Sequence, residues 1–448
     1  MKNLHVSIIV LIFSFGFAGI LNSQSAEEFR NRRKEVINKM ELQSVLLLRT
    51  PQTSGMFDYT RYGGNFYYLT GIDEPNCTLV LFSNDFQIPS TLSTGSREIL
   101  FIRPVNSGRV NWDAQTVGIE GAKSKYGIED ARSASEASEF IGRLLAYSFK
   151  NIYMDVERSS SVNTPLSGDE QLIKMARDHG AAFAILPPST ILNPMVSKKS
   201  VSEIELMRKV INITAEAQRE AARSLKPGMF EYQLDAIIRY VFSVNGSGSL
   251  SFPTIIGSGI NSVVLHWMEN SRKMEEGDIV VVDCGAENGY YCADVTRTYP
   301  VSGKYTDRQK TIYEIVLKAN EEAIKMVAPG VKMANVSHTA DSLLADGMVR
   351  IGLIKEKADF KKYYYHGLSH QIGLKNTLEG PAQILEPGMI ITIEPGLYIR
   401  EEKTGVRIED DVLVTADGYE VLSKNAPKQI PEIEKLMKEE GMDVYKKR

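Results

Sequence analysis

The chain is short of cysteine, has only two tryptophans and carries no surplus of positive charge. Its three cysteines, Cys77, Cys284 and Cys292, are too few and too scattered for a disulfide scaffold or a paired-cysteine zinc site, so stability must come from packing. A formal net charge of −4 leaves no basic excess to neutralise phosphates. Nucleic acid is therefore excluded as the main partner, and a small or peptide ligand is expected. Low-complexity tracts and short-period repeats are also missing from the sequence, which excludes solenoids and disordered tails. What is present, 43% hydrophobic and 24% charged residues over 448 positions, is an ordinary globular composition. At roughly 150 residues per domain the length suits two or three domains, two being the simpler reading.

The one long apolar run lies at the N-terminus. Lys2 precedes an apolar stretch at 6–21, followed by Asn22-Ser23-Gln24-Ser25 and the charged Ala26-Glu27-Glu28. That is the order of a signal peptide. The run falls short of the roughly 20 residues needed to cross the hydrocarbon core. Cleavage near Ser25 is expected, giving a secreted or periplasmic protein with no membrane attachment afterwards. A buried strand or an uncleaved anchor is the alternative. No cysteine in this stretch offers a site for a lipid anchor.

Residues 29–185 alternate short apolar strands, such as Val45-Leu46-Leu47-Leu48, Thr78-Leu79-Val80-Leu81-Phe82 and Ile99-Leu100-Phe101-Ile102, with helical stretches such as 134–147. This is an α/β pattern. Polar segments interrupt it at 159–165 and at Pro187-Pro188-Ser189-Thr190, the second reading as a domain hinge. The expected division is a signal peptide at 1–25, an N-terminal α/β domain at 26–190 and a C-terminal domain at 191–448. Ser200 and Glu203 have capping-box spacing and open a long amphipathic helix ending near Pro227-Gly228. Helical patterns recur at 306–328 and 333–352, and strands at 388–399 and 406–415.

The most informative segment runs from Ile279 through Asp283, Cys284, Asn288, Gly289 and Cys292 to Asp294. It reads as a hairpin. Asn288-Gly289 is a preferred central pair for a two-residue type I′ turn, and that register sets Asp283 directly opposite Asp294, Cβ atoms about 5 Å apart. It also pairs Cys292 with Gly285 and Cys284 with Ala293 on opposite faces, against a disulfide. Two facing carboxylates repel unless a cation lies between them or one is protonated. A wet edge hairpin with solvated acids is the plainer alternative, but the apolar run at 279–282 argues for burial on both faces.

Further along, His366-Gly367-Leu368-Ser369-His370 supplies a close histidine pair, itself a weak metal signal. Glu394, in Ile391-Thr392-Ile393-Glu394-Pro395-Gly396, and Glu409, in Val406-Arg407-Ile408-Glu409-Asp410-Asp411-Val412, interrupt apolar strands and need partners there. Together with Ile256-Gly257-Ser258-Gly259, Asp294-Val295-Thr296-Arg297-Thr298 and, in the front half, the segment from Arg61-Tyr62-Gly63-Gly64-Asn65 to Gly71, these motifs resemble the pita-bread metallopeptidases, most closely the proline-specific aminopeptidase P family. The resemblance runs from about Ser200 to Glu434.

It implies a creatinase-like α/β domain followed by a pita-bread catalytic domain, with Asp283, Asp294, His370, Glu394 and Glu409 ligating two divalent ions. An oxygen-rich donor set suits Mn²⁺, with Zn²⁺ or Co²⁺ possible. By the same resemblance Asp294 and Glu409 bridge the ions, Asp283 serves one, and His370 with Glu394 the other. A metal-bridging hydroxide then cleaves the N-terminal Xaa-Pro bond, and Glu394 is the candidate proton shuttle. His266 would orient substrate, and His366 would donate to its carbonyl. Arg407 would orient Glu409 beside the substrate. Taken alone, His266 reads as a packed residue, and His338 and His179 read as surface or core residues. Thr377 occupies a place where relatives usually carry a substrate-contacting histidine; threonine can donate a hydrogen bond but cannot carry a proton. Expected partners are peptides with proline second and further copies of the chain in a homo-oligomer. The alternatives are a Xaa-Pro dipeptidase, a creatinase-like hydrolase without metal, and a weakened peptide-binding protein.

Overall fold

The computed structural model describes residues 24–51, 63–92, 95–105, 116–156, 168–374 and 382–442. The expected signal-peptide segment up to Ser23, the polar stretch 159–165, Arg61, Tyr62 and Thr377 lie outside them. No helix among the described residues is long and apolar enough to cross a membrane.

The first half is a six-stranded mixed sheet of β1 (Ser44–Arg49), β2 (Thr78–Phe82), β3 (Glu98–Ile102), β4 (Ala131–Ser133), β5 (Asn151–Tyr153) and β6 (Ala184–Leu186), in the order β4-β3-β2-β1-β5-β6. Its apolar runs are continuous because both faces are covered. Val45 and Leu47 of β1 enter one core with Phe101, Phe140 and Leu144. Leu46 and Leu48 enter the other, which continues without a break into the second half. The expected hinge dipeptide Pro187-Pro188 leads directly into a helix, Ser189–Ser197, that packs Leu192 and Val196 into this shared core.

The second half places two helix pairs, Val201–Ser224 with Glu231–Val244 and Asp307–Lys325 with Met333–Arg350, against a set of strands that carries the acids. The first helix opens on the expected capping box of Ser200 and Glu203, and Thr306 with Gln309 does the same for the third. The central ribbon comprises β7 (Ile255–Ser258), β8 (Ile279–Cys284), β9 (Ala286–Asn288), β10 (Tyr291–Cys292) and β11 (Val295–Pro300). It is faced by β12 (Ile390–Ile393), β13 (Gly396–Ile399), β14 (Thr404–Arg407) and β15 (Asp410–Val414). The strands expected at 388–399 and 406–415 are therefore each broken, once at Glu394-Pro395 and once at Ile408-Glu409. Proline cannot donate to a ladder, which accounts for the first break, and a glutamate lies in each.

The expected hairpin register is wrong. Asp283 pairs with Thr296 and Cys284 with Val295, while Cys292 pairs with Glu287 and Asn288 with Tyr291. The turn is Gly289-Tyr290, with φ of 59° and 72°, one residue later than Asn288-Gly289. Both central residues still take the positive φ that a type I′ turn needs. Tyrosine there costs about 1 kcal/mol, and tertiary contacts offset it. The Tyr290 ring stacks on Tyr67 of the first domain at 4.3 Å, its hydroxyl donates to Asp73, and its N–H donates to Glu287 at 3.0 Å. In this register Asp294 falls level with Gly285, where a Cβ would lie 1.8 Å from the Ala293 carbonyl oxygen. All three cysteines are buried and unbridged.

Candidate active site

The five expected ligands converge although the register that suggested the first pair differs. Asp283 is the penultimate residue of β8, Asp294 sits between β10 and β11, Glu394 and Glu409 occupy the two strand breaks, and His370 lies in the loop before β12. His370 Nε2 is 3.5 Å from Asp294 Oδ2 and 3.6 Å from Glu394 Oε1. One ligand atom each of Asp294, His370 and Glu409 lies within 4.8 Å of the others. All five line one cleft of about 460 Å³.

Crowding and burial make this set costly without a cation. Burial first, then Glu409, Asp283 and Asp411, push the Asp294 carboxyl well above its ordinary range. Burial, then Glu394 and Asp283, do the same to Glu409 against the opposing Arg407. Asp283 Oδ1 and Asp294 Oδ1 are buried and have no hydrogen-bond partner, and buried acceptors are seldom left so. Four carboxylates and an imidazole around one cleft, two of the acids carrying an orphaned buried oxygen, fit hard divalent ions.

Arg407 is almost fully buried and reaches a different carboxylate from the one expected. Its Nη2 donates to Asp283 Oδ2 at 2.7 Å and its Nε to Thr296 Oγ1 at 3.1 Å. Thr296 in turn donates to Glu409 Oε2 at 2.6 Å, so Arg407 orients Glu409 only through Thr296. Its Nη1 also donates to Tyr398 Oη at 3.3 Å. That hydroxyl lies 2.7 Å from His366 Nε2, while His366 Nδ1 lies 2.8 Å from the Gly367 carbonyl and 3.8 Å from Glu394 Oε2. A carbonyl can only accept, so Nδ1 carries the proton and Nε2 accepts from Tyr398. Burial, reinforced by Arg407, lowers His366 to about 4, and the ring is neutral at pH 7.

His266 is exposed on the cleft wall rather than packed. Its loop is fixed by a residue that sequence reading missed. Glu231 Oε1 accepts the Ser258 N–H at 2.8 Å, and Oε2 accepts Trp267 Nε1 and the Arg272 N–H, both at 2.9 Å. Phe252, Pro253, Ile255, Leu265 and Met268 give the same cleft an apolar part of its lining, also missed, as were Tyr398, Thr296 and Asp411. Asp411 Oδ2 accepts the Asp294 N–H at 3.1 Å. His338 and His179 are on the surface, away from the cleft.

Residues 205–416 match metallopeptidase family M24, and residues 29–153 match the aminopeptidase P N-terminal domain. Fold and site thus define an M24 metallopeptidase with an aminopeptidase P front domain. The Xaa-Pro aminopeptidase of Escherichia coli K12 is 32% identical over 444 residues, covering 92% of this chain and 98% of its own. Aminopeptidase P of E. coli with the inhibitor Pro-Leu superposes with a TM-score of 0.80 at 31% identity, over 92% of this chain and 98% of that one. Pseudomonas aeruginosa aminopeptidase PepP gives 0.81 at 29% identity over the same shares. The chain belongs to the Xaa-Pro aminopeptidase family.

Proposed function

We propose that the protein is a secreted aminopeptidase that removes the residue preceding an N-terminal-penultimate proline, with two divalent ions, Mn²⁺ preferred, at Asp283, Asp294, His370, Glu394 and Glu409. The observation that carries this reading is one cleft lined both by the five candidate ligand side chains and by a group of apolar residues. Asp283, Asp294, His370, Glu394 and Glu409 would hold the ions, which would supply Lewis-acid activation of water and of the scissile carbonyl at neutral pH. The chain's own residues do the rest. The apolar side takes the prolyl ring, whose fixed φ and missing N–H make it a poor fit for general peptidases. His266 orients the substrate, His366 lines the cleft beside it with its Nδ1–H held by the Gly367 carbonyl, and Glu394 carries a proton from the attacking water to the leaving nitrogen. Arg407 holds Asp283 in place, and Thr377 supplies at most a hydrogen bond. Secretion is supported by the order of charge and apolarity in residues 1–25, and a homo-oligomer is proposed with it.

The test is release of the first residue from Xaa-Pro-Xaa peptides with Mn²⁺, Zn²⁺ or Co²⁺, against a Glu394→Gln control; release no greater than the control's would overturn the reading. Equal or faster cleavage of Xaa-Pro dipeptides would favour a dipeptidase. N-terminal sequencing of the exported protein checks cleavage near Ser25, and light scattering checks assembly.

A further inference from the structure

The two long helices that pack beneath the acids each send one fully buried amide into the strands above. Gln218, on Val201–Ser224, donates from Nε2 to the Val282 carbonyl at 3.0 Å and to the Val295 carbonyl at 2.7 Å. Asn320, on Asp307–Lys325, donates from Nδ2 to the Ile393 carbonyl at 3.0 Å and to the Ile408 carbonyl at 3.3 Å. Neither side chain is exposed. Val282 precedes Asp283, Val295 follows Asp294, Ile393 precedes Glu394 and Ile408 precedes Glu409. Every acidic ligand therefore adjoins a carbonyl gripped by one of two amides, and each amide spans the two chain segments that carry one pair.

The amide orientations are fixed by their other ends. Tyr299 donates to Gln218 Oε1 at 3.0 Å, and Lys428 Nζ, which has no acceptor capacity, donates to Asn320 Oδ1 at 2.8 Å. The NH₂ groups must then face the carbonyls. An NH₂ with both hydrogens committed to carbonyls on neighbouring segments sets the distance between those segments, and so between the carboxylates they present. We propose that Gln218 and Asn320 are positioning residues that set the spacing within the Asp283/Asp294 and Glu394/Glu409 pairs and thereby the affinity for the two ions. This deepens the metallopeptidase reading and rests on it.

The experiment compares Mn²⁺ binding to the whole mature protein and to Gln218→Asn, Gln218→Met, Asn320→Ala and Asn320→Leu. Calorimetry gives the affinity, and native mass spectrometry counts ions on folded species alone. Gln218→Asn keeps the amide but withdraws it by one carbon, a change mild enough to fold. Leu317→Ala, a core truncation on the same helix as Asn320, controls for general loosening. The parent should bind two ions, and each amide variant should bind at least one of them ten or more times more weakly. With saturating Mn²⁺ kcat should return toward the parent value and KM should stay unchanged, whereas Leu317→Ala should lower the melting temperature without altering affinity. Amide variants matching the parent within twofold, or Leu317→Ala weakening binding equally, overturn this inference alone. A parent that takes up no ion overturns the metallopeptidase reading as well.

Discussion

The guanidinium of Arg407 lies 2.7 Å from Asp283 Oδ2, with both side chains at least nine-tenths buried. A buried pair contributes little net stability over an apolar replacement, but removing one partner strands the other's charge at a cost of about 3–5 kcal/mol. Arg407→Met should therefore destabilise the metal-free protein by about 3 kcal/mol or more, read from denaturant unfolding with chelator present. Added Mn²⁺ should narrow that gap, because a cation again faces Asp283. Arg407→Lys should recover only part, since an ammonium cannot reach Asp283, Thr296 and Tyr398 in one fork. A lysine variant as stable as the parent would refute the fork.

The hydroxyl of Tyr398 links Arg407 to His366. Tyr398→Phe keeps the ring and removes the hydroxyl that donates to His366 Nε2 and so fixes the orientation of the imidazole. Orienting partners of this kind are worth about 10–100-fold. We expect kcat on a Xaa-Pro-Xaa peptide to fall by that factor with KM changed less than about threefold. Unaltered kcat would show that the ring needs no such support.

Without metal, Glu394 is raised from 4.5 to about 8, chiefly by burial, with Arg407 opposing and Asp283 adding to it. The folded protein then holds a proton that the unfolded chain would release between pH 4.5 and 8. Stability from this group is complete below the lower value and is lost as pH rises through the upper one. Metal-free protein should melt at a lower temperature at pH 8.5 than at pH 5.5. With Mn²⁺ the slope should flatten, and binding at pH 6.5 should release protons, measured by calorimetry in buffers of different ionisation enthalpy. A metal-free melting temperature that rises over this range contradicts the assignment.

The acids at the cleft were legible because Asp283, Asp294, Glu394 and Glu409 stand in apolar strand contexts where a carboxylate is chemically conspicuous, whereas the full set of five candidate ligands, with His370, came from the family resemblance. The α/β front sheet was legible for a related reason: strands buried on both faces leave unbroken runs such as Val45-Leu46-Leu47-Leu48. What could not be read depends on contacts remote in sequence. Nothing local marks Gln218 or Asn320 as partners of strands 64 or more positions away, nor Glu231 as the anchor of the His266 loop. Arg407 was paired with its neighbour Glu409, whereas its partner Asp283 is 124 residues away. The breaks at Glu394 and Glu409 were missed because apolar content was read as continuous, although Pro395 marks the first of them.

The hairpin is the clearest case of tertiary packing overruling a local signal, and it leads to a measurable expectation. Asn288-Gly289 would make the easier turn, yet Tyr290 takes the positive φ because its ring is clamped by Tyr67 and its hydroxyl by Asp73. If so, the first domain helps to set where Asp294 stands. A stacked pair contributes about 0.5–1.5 kcal/mol beyond its buried area, close to what the strained tyrosine costs. Removing it should bring the two registers near balance. Tyr67→Ala should weaken Mn²⁺ binding and speed amide exchange in β9 and β10, and a double-mutant cycle of Tyr67→Ala with Tyr290→Ala should give a coupling of about 1 kcal/mol. Replacing Asn288-Gly289-Tyr290 with Asn-Gly-Gly should restore an unstrained turn without restoring the stack. Should Tyr67→Ala bind Mn²⁺ as tightly as the parent, the register is held within the second domain, and the ladder between β8 and β11 alone fixes Asp294.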